Sequence, residues 1–372
     1  MKEYYRALAF WESAYFKRKE VKAWVKDMEL EEIHYVPEAI NVIGGRFVNQ
    51  LFFRVSEDGM LIIGQEVKEI KKDVQRMEQF LTKKMNQLWA NLFSRGAALP
   101  KVFEEIESRH PVLITLRDAS HDDLAGVFRE FDVIPHKKIH LEKGEVWIGE
   151  TLVLVNNADY KKEETDKMIE QLLFARVYEI QLERFVKGYE VLWNKVSSIR
   201  DQKFIQQTKL ARVHDHIFNI QRQVNFFKAR LNQMQHFLEW RGNLIDEYVN
   251  DPELNRTFKR FFMSLNSSQK YLQELWGMLS NYVHSTVSLI GFLYSDTERK
   301  NIATLQKMFL ISTVAAIIGL GGLAIVDVQR VLIFGGLAIA LSTFVHFVLF
   351  KVLAKYKRIT LFKKDIDLEE EK

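Results

Sequence analysis

The stretch MFLISTVAAIIGLGGLAIV, from Met308 to Val326, decides the predicted fold because it contains no Asp, Glu, Lys or Arg. A second uncharged stretch, VLIFGGLAIALSTFVHFVLF, runs from Val331 to Phe350. As α-helices of about 19 to 20 residues, the two stretches each cover about 30 Å, the thickness of a bilayer hydrocarbon core. Neither has the polar face of a helix in a water-soluble core. We therefore expect two transmembrane helices, 308–326 and 331–350.

The charges around these stretches predict a topology. Only residues 327–330 separate the two, so the helices should form a tight hairpin with both outer ends on one side. Lysine and arginine concentrate at those outer ends, at Arg299, Lys300, Lys307, Lys351, Lys355, Lys357 and Arg358. The positive-inside rule then places both termini in the cytoplasm. Met1–Phe10 has no signal-peptide pattern, and the expected location is the plasma (inner) membrane.

Composition indicates a large folded part outside the membrane. The chain has 372 residues, of which 27% are charged and 47% hydrophobic. The absence of cysteine excludes disulfides and thiolate metal sites. The net charge of +4 is explained by the lysines and arginines beside the two stretches, so we expect no nucleic-acid partner. His136, His140 and the cluster at 121–123 lack a companion set with known ligand spacing, so we expect no enzyme.

Residues 1–157 are expected to form a cytoplasmic α/β domain. Short β-rich runs alternate there with helical stretches, at 47–55, 60–63, 112–116 and 146–155. Ser120 and Asp123 form the pattern of a capping box before an apolar helix. Gly44-Gly45 is interpreted as a turn rather than a phosphate loop, because the spaced glycines and the Lys-Ser/Thr pair of such a loop are missing.

From residue 158 onward the pattern is helical. A helical hairpin is expected over 158–250, turning near 197–207, with one seam at Val213, Ile217, Ile220, Val224, Phe227, Leu231, Met234 and Leu238. A stalk helix is expected over 251–307, where Asp251-Pro252 supplies an N-cap and a first-turn proline. Its seam is Leu254, Phe258, Phe261, Leu265, Ser268, Leu272, Leu275, Leu279, Tyr282, Thr286, Leu289 and Leu293. Joined to the first apolar stretch, this helix would have about 75 residues and a length of roughly 110 Å.

Small and mildly polar residues follow one face of that helix at steps of three or four. They are Asn301, Thr304, Met308, Ser312, Ala315, Gly319 and Gly322. Two interpretations remain open from the residues alone. The stripe could allow close packing of helices, or it could line a pore formed by several copies of the chain.

This order of elements resembles the CorA family of divalent-cation channels, which also have a cytoplasmic α/β domain, a long stalk helix, two C-terminal spans and a basic tail, here 351–372. The resemblance implies a homopentamer in which the stripe lines the pore. The family's outer mouth carries Gly-Met-Asn, and the matching positions here are Gly322, Leu323 and Ala324. Alanine offers no oxygen to hydrated magnesium, so weak ion selectivity is expected.

The sequence thus predicts an α+β membrane protein that is not an enzyme and needs no cofactor beyond a transported or regulatory divalent cation such as magnesium. The first hypothesis is a CorA-like homo-oligomeric cation channel. One alternative is an effector pore gated by a small cytoplasmic ligand. The other is a membrane-anchored coiled-coil scaffold. In all three the partners are the lipid bilayer and other copies of the chain.

Overall fold

The structure is a computed structural model of the chain. It describes residues 2–9, 30–36, 42–47, 51–56, 58–67, 69–80, 110–157, 161–202, 204–248, 251–322 and 358–360, together with the single residues 336, 340, 343, 344 and 347. All statements below concern these residues.

Nine strands form one mixed sheet in the order β2-β3-β4-β5-β1-β6-β9-β8-β7. They are β1 Lys2–Ala9, β2 Leu30–Val36, β3 Val42–Phe47, β4 Phe52–Ser56, β5 Met60–Val67, β6 Val112–Leu116, β7 Pro135–Leu141, β8 Gly144–Gly149 and β9 Leu152–Asn157. Within this order β6 and β9 run parallel, with Val112 opposite Leu152, and the other neighbouring strands are antiparallel.

Two short helices belong to the same part of the chain, α1 Ile70–Phe80 and α2 His121–Glu130. The predicted capping box at the start of α2 is confirmed, because the Ser120 hydroxyl accepts from the Asp123 amide while the Asp123 carboxylate accepts from the Ser120 amide. Apolar side chains of the sheet, including Ile114 and Leu154, pack with Met77 of α1 and Phe128 of α2 in one core.

The interpretation of Gly44-Gly45 as a turn is wrong. Both glycines lie inside β3, paired on one side with β2 and on the other with β4. Gly45 is opposite Phe53, and a Cβ built on Gly44 would lie 3.6 Å from the Phe53 carbonyl oxygen. A glycine in a strand marks such a close approach of a neighbouring backbone.

Four helices follow the sheet: α3 Lys162–Arg200, α4 Leu210–Asn243, α5 Ile245–Tyr248 and α6 Pro252–Gly322. A short strand β10 Phe204–Gln206 and a 3-10 turn, Gln207–Lys209, connect α3 to α4, so the predicted helical hairpin is confirmed. The N-cap of α6 is confirmed as well, because the Asp251 carboxylate accepts from the Leu254 amide at 2.9 Å. The last strand, β11 Arg358–Thr360, pairs antiparallel with β10.

The chain divides into two compact units. Unit 1 contains Met1–Tyr189 and Phe226–Gly277, and unit 2 contains Glu190–Asn225 and Met278–Lys372.

Aromatic packing holds the helices of unit 1 together. Phe227 of α4 stacks on Trp276 of α6, with ring centroids 4.4 Å apart. Phe185 of α3 meets both rings edge-on. Pairs of this geometry stabilise a core beyond their buried area, so these three rings fix the three helices to one another.

In unit 2, α3 and α6 are joined by a ring stack and by a guanidinium that lies against the same ring. Trp193 of α3 stacks on Tyr282 of α6 at 4.8 Å, and the Arg200 guanidinium lies 4.8 Å from the same tyrosine ring. In the same unit Ile205, Leu210 and Ile290 form a small buried cluster.

The predicted seam of α4 is confirmed from Ile217 to Leu238, where every member is buried. The seam of α6 is only partly confirmed. The predicted Leu254, Phe258, Leu265, Leu272, Leu279 and Thr286 are buried. At the other positions the buried residues are Phe262, Gln269, Trp276, Val283 and Ile290 in place of the predicted Phe261, Ser268, Leu275, Tyr282 and Leu289, and Leu293 is half-buried. After two steps of four, the buried positions from Phe262 to Ile290 alternate in steps of three and four, eight steps over 28 residues, which is the 3.5-residue period of a heptad seam.

Across the residues that the structure describes, no helix combines the length and the apolar character that crossing a membrane requires. Of the first predicted span, the structure describes residues 308–322, which lie in α6. Most of 331–350 lies outside the described residues. The predicted α+β membrane fold with two C-terminal transmembrane helices, and the plasma-membrane location derived from it, are therefore wrong.

Candidate functional site

The C-terminal part of α6 carries an apolar segment, residues 302–314, that unit 2 leaves largely uncovered. Six large side chains in it are exposed: Ile302 50%, Leu305 55%, Phe309 75%, Leu310 66%, Ile311 61% and Val314 46%. Lys307 is the only charged residue in the segment. Single exposed hydrophobic residues are ordinary on protein surfaces, whereas a contiguous group of this size marks an interaction surface.

The hydroxyl groups in this segment do not make it polar. Thr304 donates to the Lys300 carbonyl at 2.7 Å, and Thr313 donates to the Phe309 carbonyl at 2.8 Å. Ser312 donates to carbonyl oxygens of the preceding turn. Because each hydroxyl donates its hydrogen to a carbonyl of its own helix, it needs no other acceptor, and the apolar segment keeps its hydrophobic character.

A groove of about 600 Å³ runs along the surface of this segment. Its lining consists of Leu305, Gln306, Phe309, Leu310, Thr313 and Val314, all from α6 itself. The groove lies between two rows of exposed side chains, one containing Leu305 and Phe309 and the other containing Leu310 and Val314.

The residues of the predicted pore stripe have different surroundings from one another. Asn301 accepts a hydrogen bond from the Gln207 side chain at 3.0 Å within unit 2. Thr304 is exposed, while Met308 and Ser312 are half-buried. Ala315, Gly319 and Gly322 also lie in α6. Of the predicted outer mouth, Leu323 and Ala324 lie outside the described residues. The pore-lining role stays a prediction.

A metal site finds no support among the described residues, because no group of three or more His, Asp or Glu side chains there is placed to hold an ion. His121 instead contacts the ring of Trp147 at 4.7 Å, and His214 stacks on Tyr294 at 5.7 Å. The transported or regulatory magnesium ion stays a prediction.

Unit 1 contains a buried charged cluster that the sequence did not reveal. The Arg241 guanidinium is fully buried and donates through Nε to Asp58 at 2.5 Å and through Nη1 to Glu170 at 3.0 Å. Its Nη2 donates to the Ser56 hydroxyl at 3.2 Å, and Glu170 also binds Arg54 at 2.9 Å. Asp58 further accepts from the Ser56 hydroxyl and from the Met60 amide.

Burial alone would lower the pKa of Arg241, but the charges and hydrogen bonds of Asp58 and Glu170 outweigh it and hold that pKa above its usual value. The guanidinium also lies 4.6 Å from the Phe174 ring. Every donor nitrogen of Arg241 has a partner, so the cluster is a structural connection between β4, β5, α3 and α4 rather than a reactive site.

Arg241 and Asp58 are separated by 183 residues, and no local pattern links them. The one signal available in the sequence was that Arg241, a charged residue, continues the apolar seam of α4 three residues after Leu238.

No known family model matches the chain, and no curated protein matches its sequence. The resemblance to the CorA family therefore stays a prediction, as do the expectations of cation transport and of a non-enzymatic role.

Proposed function

We propose that the protein is a homo-oligomeric scaffold whose copies associate through the apolar segment of α6. The exposure of its six large side chains carries the proposal. The partner on this surface is a second copy of the chain. Two features of the segment support this: the exposed apolar area, and the positions of the side chains around the helix.

The area supports this proposal. Side chains of this size that are half to three-quarters exposed present about 100 Å² each, so six of them present about 600 Å². A standard protein interface buries about 800 Å² on each partner. The apolar segment alone supplies most of that area, and it is as depleted of charge as the centre of a stable interface.

The arrangement supports more than two copies. At about 100° per residue, Ile302, Leu305 and Phe309 lie on one stripe, and Leu310, Ile311 and Val314 lie on a second stripe well over a quarter-turn away. One neighbouring helix covers only a single stripe. Each copy therefore has two neighbours, and when the first stripe of one copy meets the second stripe of the next, the assembly closes into a ring of three or more.

The test is the mass of the purified full chain in solution, measured by mass photometry between nanomolar and micromolar concentration. We expect an oligomer of three or more copies. Leu305→Glu and Val314→Glu each place an unpaired charge in the interface and should weaken association at least about 100-fold.

The matched control is Phe218→Glu, which changes an exposed aromatic residue on α4 of the same unit and should leave the mass unchanged. An unmodified chain that stays monomeric would overturn the proposal. So would a monomer that binds phospholipid vesicles through Leu305, because the occupant of the segment would then be lipid.

A further inference from the structure

Unit 1 also contains a pocket, distinct from the charged cluster and from the apolar segment of unit 2. It has a volume of about 330 Å³ and lies between the end of α4, α5 and the first turns of α6. Its floor is apolar and buried, formed by Leu238, Ile245 and Phe262. Ligand pockets usually measure about 300 to 1,000 Å³, so this one suits a molecule of one or two rings.

One buried polar atom in the pocket lining lacks a partner. The Oδ1 atom of Asn266 is shielded from solvent and accepts no hydrogen bond from the described residues. A buried acceptor without a donor is costly, and each such atom calls for an explanation. A ligand carrying an N–H or O–H group would supply the missing donor.

The charged residues at the rim are already paired. Lys259 binds Asp246 at 2.6 Å, and Glu239 accepts from the Gln235 amide at 2.8 Å. The charge of Lys259 is compensated by Asp246 and the Glu239 carboxylate already accepts a hydrogen bond, so the rim does not call for an anion and a neutral donor is enough for Asn266.

The remaining lining favours an aromatic ring. Phe262 belongs to a group of rings, stacked on Phe174 with centroids 5.8 Å apart. Met263 stands at the rim, 70% exposed, and a flexible thioether makes favourable contacts with the edge of an aromatic ring.

We propose that this pocket binds a small neutral aromatic molecule with one hydrogen-bond donor, and that Asn266 accepts the bond from it. The inference does not depend on self-association, because every lining residue belongs to unit 1.

The probes are indole and 1-methylindole, in which a methyl group replaces the N–H hydrogen and so removes the donor. Binding to the full chain is measured by ligand-observed NMR titration. We expect indole to bind about tenfold more tightly than 1-methylindole, the effect of one neutral hydrogen bond. Asn266→Leu should reduce indole binding by the same factor and leave 1-methylindole unchanged.

A pair of variants at Gly242 tests the location. A Cβ at this position would lie 3.6 Å from the Phe262 ring, an ordinary contact, so Gly242→Ala should fold and still bind indole. Gly242→Leu fills the pocket and should abolish binding of both probes. Three results would overturn the proposal: equal affinity for the two probes, no indole binding at millimolar concentration, or full binding by Asn266→Leu with an unchanged melting temperature.

Discussion

Removal of the charge at Arg241 should destabilise unit 1 strongly. In Arg241→Met the apolar stem of the side chain is retained, but Asp58, which is 0% exposed, loses its ion pair. Breaking a buried pair from one side costs about 3 to 5 kcal/mol because an uncompensated charge stays buried. Glu170 loses less, since Arg54 remains bound to it at 2.9 Å. We therefore expect a loss of about 3 to 4 kcal/mol, a large fraction of the roughly 5 to 15 kcal/mol that stabilise a typical protein.

The measurement is urea unfolding followed by circular dichroism, with the slope m compared between variants. The double variant Arg241→Met/Asp58→Asn replaces the stranded carboxylate by a neutral amide, which can still accept from the Met60 amide. It should regain about 1 to 2 kcal/mol over Arg241→Met. Arg54→Met serves as the control and should cost less, because its side chain is 27% exposed. A loss below about 1 kcal/mol for Arg241→Met, or no recovery in the double variant, would refute the assignment of the cost to Asp58.

Three further changes test other parts of unit 1. Gly64→Ala should destabilise by about 1 to 3 kcal/mol in urea unfolding, because the added methyl group would overlap the ring of Phe52 on the paired strand. Gln171→Met should stabilise by about 1 to 2 kcal/mol, because Gln171 is 0% exposed and neither atom of its amide has a partner among the described residues. Burial raises the pKa of Asp166, so its ionisation opposes folding; Asp166→Asn should match the unmodified chain near pH 3 and gain relative stability as the pH rises to about 6.

Each of these changes has a comparison that isolates its cause. Gly44→Ala adds the same methyl group in the same sheet at an ordinary 3.6 Å contact, and should cost less than Gly64→Ala. Gln269→Met removes an amide that donates to the Leu231 carbonyl at 2.5 Å, so it should bring no gain. A stability difference for Asp166→Asn that does not change with pH would assign its effect to packing rather than to charge.

The sequence predicted the elements that depend on neighbouring residues. Strand β6 occupies the predicted 112–116. A short apolar run rich in β-branched residues is typical of a strand that is buried on both faces of a sheet. The capping box at Ser120 and the N-cap at Asp251 were found for the same reason, since donor and acceptor lie three residues apart.

The sequence failed where distant residues decide the structure. Gly44-Gly45 has the composition of a turn, yet pairing with β2 and β4 places it inside a strand. Arg241 and Asp58 meet across 183 residues, and the buried side chain of Gln171 has no local signature either. The membrane prediction rested on two uncharged stretches, of which the structure describes residues 308–322 in α6 and only single residues of the second stretch. In residues 302–314 the absence of charge corresponds to exposed apolar side chains, and it does not indicate what would cover them.

The last prediction concerns the direction of the contacts in the proposed ring, and it follows from the two stripes of the apolar segment. If the first stripe of one copy meets the second stripe of the next, Leu305→Glu destroys one half of each interface and Val314→Glu destroys the other. Each variant alone should be a monomer. In a mixture, the intact second stripe of the Leu305→Glu chain still fits the intact first stripe of the Val314→Glu chain. This pair of chains can form one intact interface. The remaining stripe of each chain carries the introduced glutamate, so no third chain is added and the product is a heterodimer. Mass photometry of the equimolar mixture should therefore show a dimer that neither variant forms by itself. In a two-fold symmetric interface each stripe would meet the same stripe of another copy, so each variant alone would form a homodimer through its intact stripe. Homodimers of the single variants would thus contradict the head-to-tail ring and leave a symmetric contact as the arrangement of the copies, and a mixture that stays monomeric would contradict the ring as well.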